Sequence, residues 1–259
     1  MKMDLSFVPE SLQAFFKEHS RIALALSGGC DSAYLLYAAS VCGVELGVYY
    51  VDSQFQPAFE LADARALAEE AGQKLRVLKL DVLADAQVKS NPADRCYHCK
   101  QLIFGEILKA ARADGFTAVM DGTNASDDVS DRPGMRALAQ MHVSSPLREC
   151  GIGKDQVREL SRQAGLFTWN KPSYACLATR IPAGREIEGG MLKKIEHAEA
   201  RLVELGFSGM RVRVSERGAR LEVRESQMLR VLEKRKEIIA ALEADFAEIT
   251  LDLRPREEK

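Results

Sequence analysis

Short apolar runs alternate with amphipathic stretches along the first two thirds of the chain. Ile22–Leu26 is unbroken and apolar, as expected of a strand buried in a parallel sheet. Leu46–Val51, Leu75–Leu80, Ala118–Asp121 and Val143–Leu147 are further strand candidates. Helical patterns fill the intervals near 31–42, 57–71, 97–113 and 153–165; in the first of them Leu35, Leu36 and Ala39 share one face. Asp81 to Asp94 is a longer polar connection ending in Asn91-Pro92-Ala93-Asp94. The alternation predicts an α/β fold, an open parallel sheet with helices on both faces. Ligands in such sheets bind beyond the carboxyl ends of the strands.

The pattern changes near Trp169. Lys171-Pro172 and Ile181-Pro182-Ala183-Gly184 bracket an irregular stretch, followed by a helix near 190–205 that stops before Gly206. Met210–Val214 and Arg220–Val223 alternate like a hairpin around Arg217-Gly218. A long helix near 226–243, a last strand Ile249–Leu253 and a frayed charged tail Arg254–Lys259 complete a small α+β unit. The expected domains are 1–168 and 169–259.

Composition narrows the class only modestly. The 259 residues are 46% hydrophobic and 29% charged, an ordinary globular balance. A formal net charge of −2 gives no broad footprint for nucleic acid, so no nucleic-acid partner is expected. Met1–Glu10 carries Lys2, Asp4 and Glu10 and no long apolar stretch, so neither secretory signal nor membrane anchor is expected. A cytoplasmic protein, assembled as a homo-oligomer, is the expectation. Six cysteines are too few for a disulfide scaffold and fit a reducing compartment.

The chemistry concentrates where the first strand meets the first of those helices, in Ser27-Gly28-Gly29-Cys30-Asp31-Ser32. Two glycines and two serines make a turn whose backbone N–H groups can face an anion, and a helix N-terminus adds its positive end. The kinase-type G-x-x-x-x-G-K-[ST] pattern and the dinucleotide G-x-G-x-x-G pattern are both absent. The run instead resembles the PP-loop of ATP pyrophosphatases (the adenine nucleotide α-hydrolase-like fold), which cleave ATP between its α and β phosphates and adenylate a substrate. Ser27 and Ser32 would add hydroxyls to the cradle, and Asp31 would hold Mg²⁺. Asp52 at the second strand end could bond ribose or purine. Gly122, Thr123 and Asn124, with Asp121, form a small polar turn that a nucleotide can approach closely.

The cysteines are not equivalent. Cys30 occupies the variable position of the loop, and Cys42 and Cys150 read as small packed residues. Cys96-Tyr97-His98-Cys99 opens a helix, so Cys96 and Cys99 share a face near its positive end. Such a pair can bind zinc, run dithiol chemistry, supply part of an iron–sulfur site or stay as two reduced thiols. His98 points to another face and reads as structural. Cys176 lies in a loop flanked by Lys171 and Arg180, an electropositive setting that favours thiolate.

Taken together, Ser27–Ser32, Asp121–Asn124, Cys96–Cys99 and Cys176-Leu177-Ala178-Thr179-Arg180-Ile181-Pro182 resemble the LarE family of ATP-dependent sulfur transferases over nearly the whole chain. The resemblance implies an enzyme that adenylates carboxylates of a pyridinium dicarboxylate mononucleotide and converts them to thiocarboxylates, in making a nickel-pincer nucleotide cofactor. It implies that Cys176 donates sulfur, displacing AMP as a thiolate and ending as dehydroalanine. It also implies substrate contacts from Arg180, Arg211, Arg213 and Glu199, although Arg211 and Arg213 read equally well as a solvated strand face. Members with three cysteines hold a 4Fe–4S cluster whose open iron carries an extra sulfide. Cys96, Cys99 and Cys176 fit that set, so ATP, Mg²⁺ and such a cluster are the expected cofactors, with the cluster favoured over cysteine sacrifice.

Three rivals make distinct demands. Transfer-RNA thiolation uses the same adenylation but needs an RNA-binding surface. Amide ligation, as in NAD or GMP synthesis, needs ammonia and no cysteine. A nucleotide-binding or metal-storage module would bind ATP without releasing pyrophosphate.

Overall fold

A computed structural model describes residues 3–127 and 133–256. The chain divides into two compact units, Met1–Val82 with Asp94–Lys171, and Leu83–Ala93 with Pro172–Lys259.

The first unit begins with α1 (Glu10–Glu18), which buries Leu12, Phe15 and Phe16, and then runs β1 (Arg21–Ala25), α2 (Cys30–Val41), β2 (Glu45–Asp52), α3 (Ala58–Glu70) and β3 (Leu75–Lys79). The chain then passes into the second unit, where α4 (Ala86–Lys89) is a single turn, and returns as α5 (Arg95–Ala113). The two-residue β4 (Val119–Met120), α6 (Pro133–Gln140), the one-turn α7 (Pro146–Glu149) and α8 (Lys154–Gln163) complete the first unit.

Its four strands are all parallel, in the order β3-β2-β1-β4. Both faces are covered. Ile22 and Leu24 of β1 point into one apolar cluster with α1, α2 and α8 residues, while Ala23 between them points into another with Phe104, Ile107 and Leu138. A strand wet on one face would have shown polar residues at every second position, and β1 shows none between its ends. The helix α2 is buried almost all round, which accounts for its lack of a polar stripe. The expected strand Val143–Leu147 shrinks to one bridge, Met120 with Ser144. Pro146 follows at once and opens α7, so the extended conformation cannot continue. The strand order reverses at β1, with β2 on one side and β4 on the other, and the turns after β1 and β4 lie side by side there.

In the second unit, α9 (Gly189–Glu204) packs with a sheet of order β5-β6-β7. β5 (Arg211–Val214) and β6 (Ala219–Glu222) form the expected antiparallel hairpin, and β7 (Ile249–Leu251) joins β6 in parallel. The expected long helix near 226–243 is broken at Lys234 (φ −94°, ψ 17°) into α10 (Met228–Glu233) and α11 (Arg235–Leu242). The connection 83–93 belongs to this unit through Asn91. Its buried side-chain amide donates to the carbonyls of Pro182 (2.8 Å) and Arg185 (3.1 Å), and its own carbonyl accepts from Gly184 N–H (2.8 Å). The tail is not simply frayed: Arg256 N–H bonds the Val223 carbonyl at 2.8 Å. Residues 257–259 of that tail lie outside the described residues. Among the described residues no helix is long and apolar enough to cross a membrane.

Candidate active site

The loop Ser27–Ser32 takes its shape from Gly28, whose φ of +73° favours glycine and whose Cα faces the Glu60 carbonyl so closely that a Cβ would sit 2.5 Å from that oxygen. Gly29 then caps the N-terminus of α2. The two serine hydroxyls bond each other at 2.9 Å, and Ser32 Oγ also accepts from Ser27 N–H at 3.1 Å. They brace the loop as well as edging the cavity. The turn after β4 comes up against this loop: a Cβ on Gly122 would lie 2.9 Å from Ser32 N. Only glycine lets the two turns touch backbone to backbone.

Asp121 fixes that second turn. Its carboxylate accepts from Ser145 Oγ (2.7 Å), Thr123 Oγ1 (2.6 Å) and Thr123 N–H (3.2 Å). Asn124 is buried and folds its side chain over the Ser126 N–H (2.9 Å), so it shapes the turn from within.

The cavity in front of these turns measures about 530 Å³, the size of a nucleotide site. Ser27, Gly29, Asp31, Ser32, Gly122 and Thr123 line it; Asp52 and Asn124 are not among the described residues that do. One wall is a face of α5, with Cys96, Lys100, Ile103, Phe104 and Ile107 in helical succession, and Tyr49 and Val51 of β2 extend it. The sequence signal for that wall is the spacing i, i+4, i+7, i+8, i+11 from Cys96.

Asp31 is the reactive-looking member of this group. Its Oδ2 accepts from Lys154 Nζ at 2.7 Å, while Oδ1 is buried with no hydrogen-bond partner among the described residues. Burial raises its pKa above the usual carboxylate value, and the Lys154 charge opposes that rise. A buried carboxylate oxygen left unsatisfied beside a phosphate-binding turn fits a hard cation such as Mg²⁺. Lys171 reaches the loop from the far end of the unit, donating to the Gly28 carbonyl at 3.0 Å and pairing with Asp63. Neither lysine stands in the loop motif, and each lies over a hundred positions away. Cys30 turns inward, its Sγ 3.6 Å from Ser161 Oγ, and burial pushes its thiol pKa up.

Within the same unit, Cys96 is exposed at the cavity wall and Cys99 is buried one turn on. They offer two thiols, and Cys176 belongs to the second unit. Among the described residues no three His, Cys, Asp or Glu side chains gather into a metal-holding group.

In the second unit, half-buried Cys176 immediately precedes a 3-10 turn, Leu177–Arg180. Arg180, with no exposed side-chain surface, ties that turn down. Its Nε and Nη2 grip Glu199 at 2.9 and 3.0 Å, and its Nη1 donates to the carbonyls of Ala175 (2.6 Å) and Cys176 (3.2 Å). Glu199 also accepts from Tyr174 Oη (2.5 Å) and from Val212 N–H (2.9 Å). The Tyr174 ring lies beneath both Arg180 and Arg211, 4.4 and 4.8 Å from centroid to guanidinium. Burial lowers the Arg211 pKa to about 10, helped by the neighbouring charge of Arg180. Arg211 donates to the carbonyls of Ser173 (2.6 Å) and Met210 (2.8 Å). Arg213 bonds the Thr179 carbonyl (2.6 Å) and pairs with Glu222, yet keeps 38% of its side chain exposed. Of the expected substrate-contacting groups, Arg180, Glu199 and Arg211 are thus occupied by protein partners, and Arg213 is the more open one.

No family model matches the chain. It is 35% identical over 85% of its length to an uncharacterized protein of Synechocystis sp., covering 82% of that protein. It is 31% identical over 94% of its length to the pyridinium-3,5-bisthiocarboxylic acid mononucleotide synthase of Lactiplantibacillus plantarum, covering 89% of it. A weaker likeness, 25% over 58% of the chain and 52% of the relative, joins it to a tRNA-specific 2-thiouridylase of Clostridium botulinum. The parallel sheet, the glycine-shaped loop with its acidic partner and the near full-length match to the synthase lead to one assignment: the chain belongs to the LarE family of ATP-dependent sulfur transferases, on the PP-loop ATP pyrophosphatase fold.

Proposed function

We propose that the enzyme adenylates a carboxylate of a pyridinium dicarboxylate mononucleotide and then replaces AMP by sulfur, giving the thiocarboxylate. The acceptor class rests on the name of the Lactiplantibacillus plantarum relative. The adenylation half rests on one observation, the unsatisfied, buried Oδ1 of Asp31 beside a loop built to take phosphate. Asp31 is the residue that would hold Mg²⁺, which supplies charge neutralisation at the polyphosphate. The loop N–H groups and the N-terminus of α2 hold the departing pyrophosphate. The apolar wall of Ile103, Phe104 and Ile107 suits the adenine ring and excludes water from the mixed anhydride.

Sulfur delivery is assigned to Cys176. Its thiolate attacks the acyl carbon, the acyl–oxygen bond breaks and AMP leaves with the electron pair. Loss of the Cys176 α-proton and cleavage of its Cβ–S bond then release the thiocarboxylate and leave dehydroalanine. Arg180 and Glu199 hold the Cys176 backbone in place, and Arg213 is assigned to the substrate's phosphate or second carboxylate. A second reading, sulfide carried by a 4Fe–4S cluster on Cys96, Cys99 and Cys176, draws support from the place of Cys96 in the cavity wall. The product would feed assembly of a nickel-pincer nucleotide cofactor, and the working form is proposed to be a homo-oligomer.

Intact mass after turnover with ATP and the mononucleotide, on anaerobically purified protein with iron analysis, tests the proposal. Loss of the mass of H₂S from the chain supports Cys176 as donor. Repeated turnover at unchanged mass with iron bound supports the cluster. Thiocarboxylate formation by Cys176→Ser would overturn both.

A further inference from the structure

Among its described residues the cavity lining is poor in positive charge for a nucleotide site. Asp31, Asp121, Asp127 and Glu60 stand in its lining, and among the described lining residues Lys100 is the one cation. Lys154 and Lys171 are nearby but engaged, the first on Asp31 and the second on Gly28 and Asp63. Lys100, by contrast, makes no hydrogen bond or ion pair with any described residue.

Its stem is nevertheless held. Gly134 of α6 lies flat against it: a Cβ built there would come 3.0 Å from Lys100 Cδ and 3.2 Å from Cε. The missing side chain leaves the slot that the lysine stem fills. Lys100 also sits one helical turn beyond Cys96 on the same wall. A flexible side chain clamped along its stem, its ammonium paired with no described residue in a cavity edged by carboxylates, is arranged for an anion that arrives later.

We propose that Lys100 is a catalytic residue of the adenylation step, its ammonium bridging the α-phosphate of ATP and the attacking carboxylate. This assignment rests on the adenylation reading above. In that step a carboxylate oxygen bonds to the α-phosphorus as the bond to the β-phosphate oxygen breaks. Pyrophosphate leaves with the electron pair, and no proton or redox change is needed. Negative charge builds on the non-bridging α-oxygens, and two anions must be brought together. A single ammonium between them lowers both penalties, and its effect falls on the rate more than on ATP binding.

Lys100→Met, Lys100→Arg and Gly134→Ala chains are compared with the unaltered chain. Mg²⁺-ATP affinity is read by calorimetry, folding by thermal melting, and AMP formation by single turnover with the pyridinium dicarboxylate mononucleotide. Lys100→Met is expected to melt normally, bind Mg²⁺-ATP within about threefold and form AMP about 100-fold more slowly. Lys100→Arg should recover about tenfold of that loss, because the charge returns in a different shape. Gly134→Ala, which displaces the stem but keeps the ammonium, should fall between the two. If Lys100→Met forms AMP within threefold of the unaltered rate, or loses only what saturating ATP restores, the assignment is overturned. If Lys100→Met does not fold, Lys100→Arg and Gly134→Ala carry the decision, and unaltered rates in both overturn it. An unaltered chain that binds Mg²⁺-ATP but forms no AMP with this acceptor overturns the adenylation reading and this role with it.

Discussion

The loop-lined cavity of the first unit and the arginine cluster of the second treat their polar atoms in opposite ways. In the cavity, groups that could easily have been paired are left open: Asp31 Oδ1 has no partner and Lys100 has none among the described residues. In the cluster every guanidinium nitrogen of Arg180 is engaged, and Glu199 receives four hydrogen bonds. Both regions are rich in charge, and charge alone would have marked both as binding surfaces. Satisfaction separates them. Open polar atoms face a ligand, whereas closed networks hold a shape, here the turn that presents Cys176.

The contrast can be broken at several points. Asp31→Asn keeps the side-chain size but removes the charge on the open oxygen, and AMP formation should fall on the order of 100- to 1000-fold while the chain melts normally. An unaltered rate would mean that the open oxygen holds no metal. Arg180→Met should act on stability instead. It leaves the Glu199 carboxylate buried without its main partner, a loss of about 3–5 kcal/mol that denaturant titration would register. A folded Arg180→Met chain with intact stability but no substrate binding would put Arg180 among the open groups.

Gly122→Ala tests the backbone contact between the two turns. A methyl group 2.9 Å from Ser32 N must displace one of them, at about 1–3 kcal/mol by the usual price of overpacking. The smallest effect is on pH dependence. If Asp31 holds Mg²⁺ as proposed, it does so ionised, and metal binding is then full above the pKa of that carboxyl and lost below it. Burial raises that pKa, which places the acid limb above the ordinary aspartate range, and Lys154 holds it down. Lys154→Met should therefore move the limb to still higher pH in a titration of Mg²⁺-ATP affinity. A limb that stays put would detach Lys154 from Asp31.

Much of the first unit was legible because its signals are local. Ile22–Leu26, the six-residue loop and the apolar stretch of α2 are contiguous, and the glycines at 28 and 122 sit where a close approach demands them. The strand expected at Val143–Leu147 failed because one bridge suffices beside the two-residue β4, and Pro146 ends it. Lys154, Lys171 and Lys100 were not legible, since a lysine on an amphipathic helix or loop looks the same whether it faces solvent or a cavity. The partner of Arg180 was hidden for a related reason: an arginine beside a cysteine suggests a ligand contact, and Glu199 lies in a different element 19 positions away. The assignment of 83–93 to the second unit depends on Asn91 meeting carbonyls some ninety residues later, a separation no local pattern carries.

That excursion has a consequence for how the chain can be cut. The polypeptide passes between the units three times, after Val82, after Ala93 and after Lys171. The second unit is therefore not a C-terminal module that could be shuffled onto another protein or released by a single protease nick. A fragment starting at Pro172 would lack Asn91, leaving the carbonyls of Pro182 and Arg185 without their donor just downstream of Cys176. The Cys176 turn and the parallel sheet are thus inherited together, and a gene fusion or truncation that preserves one has to preserve the other.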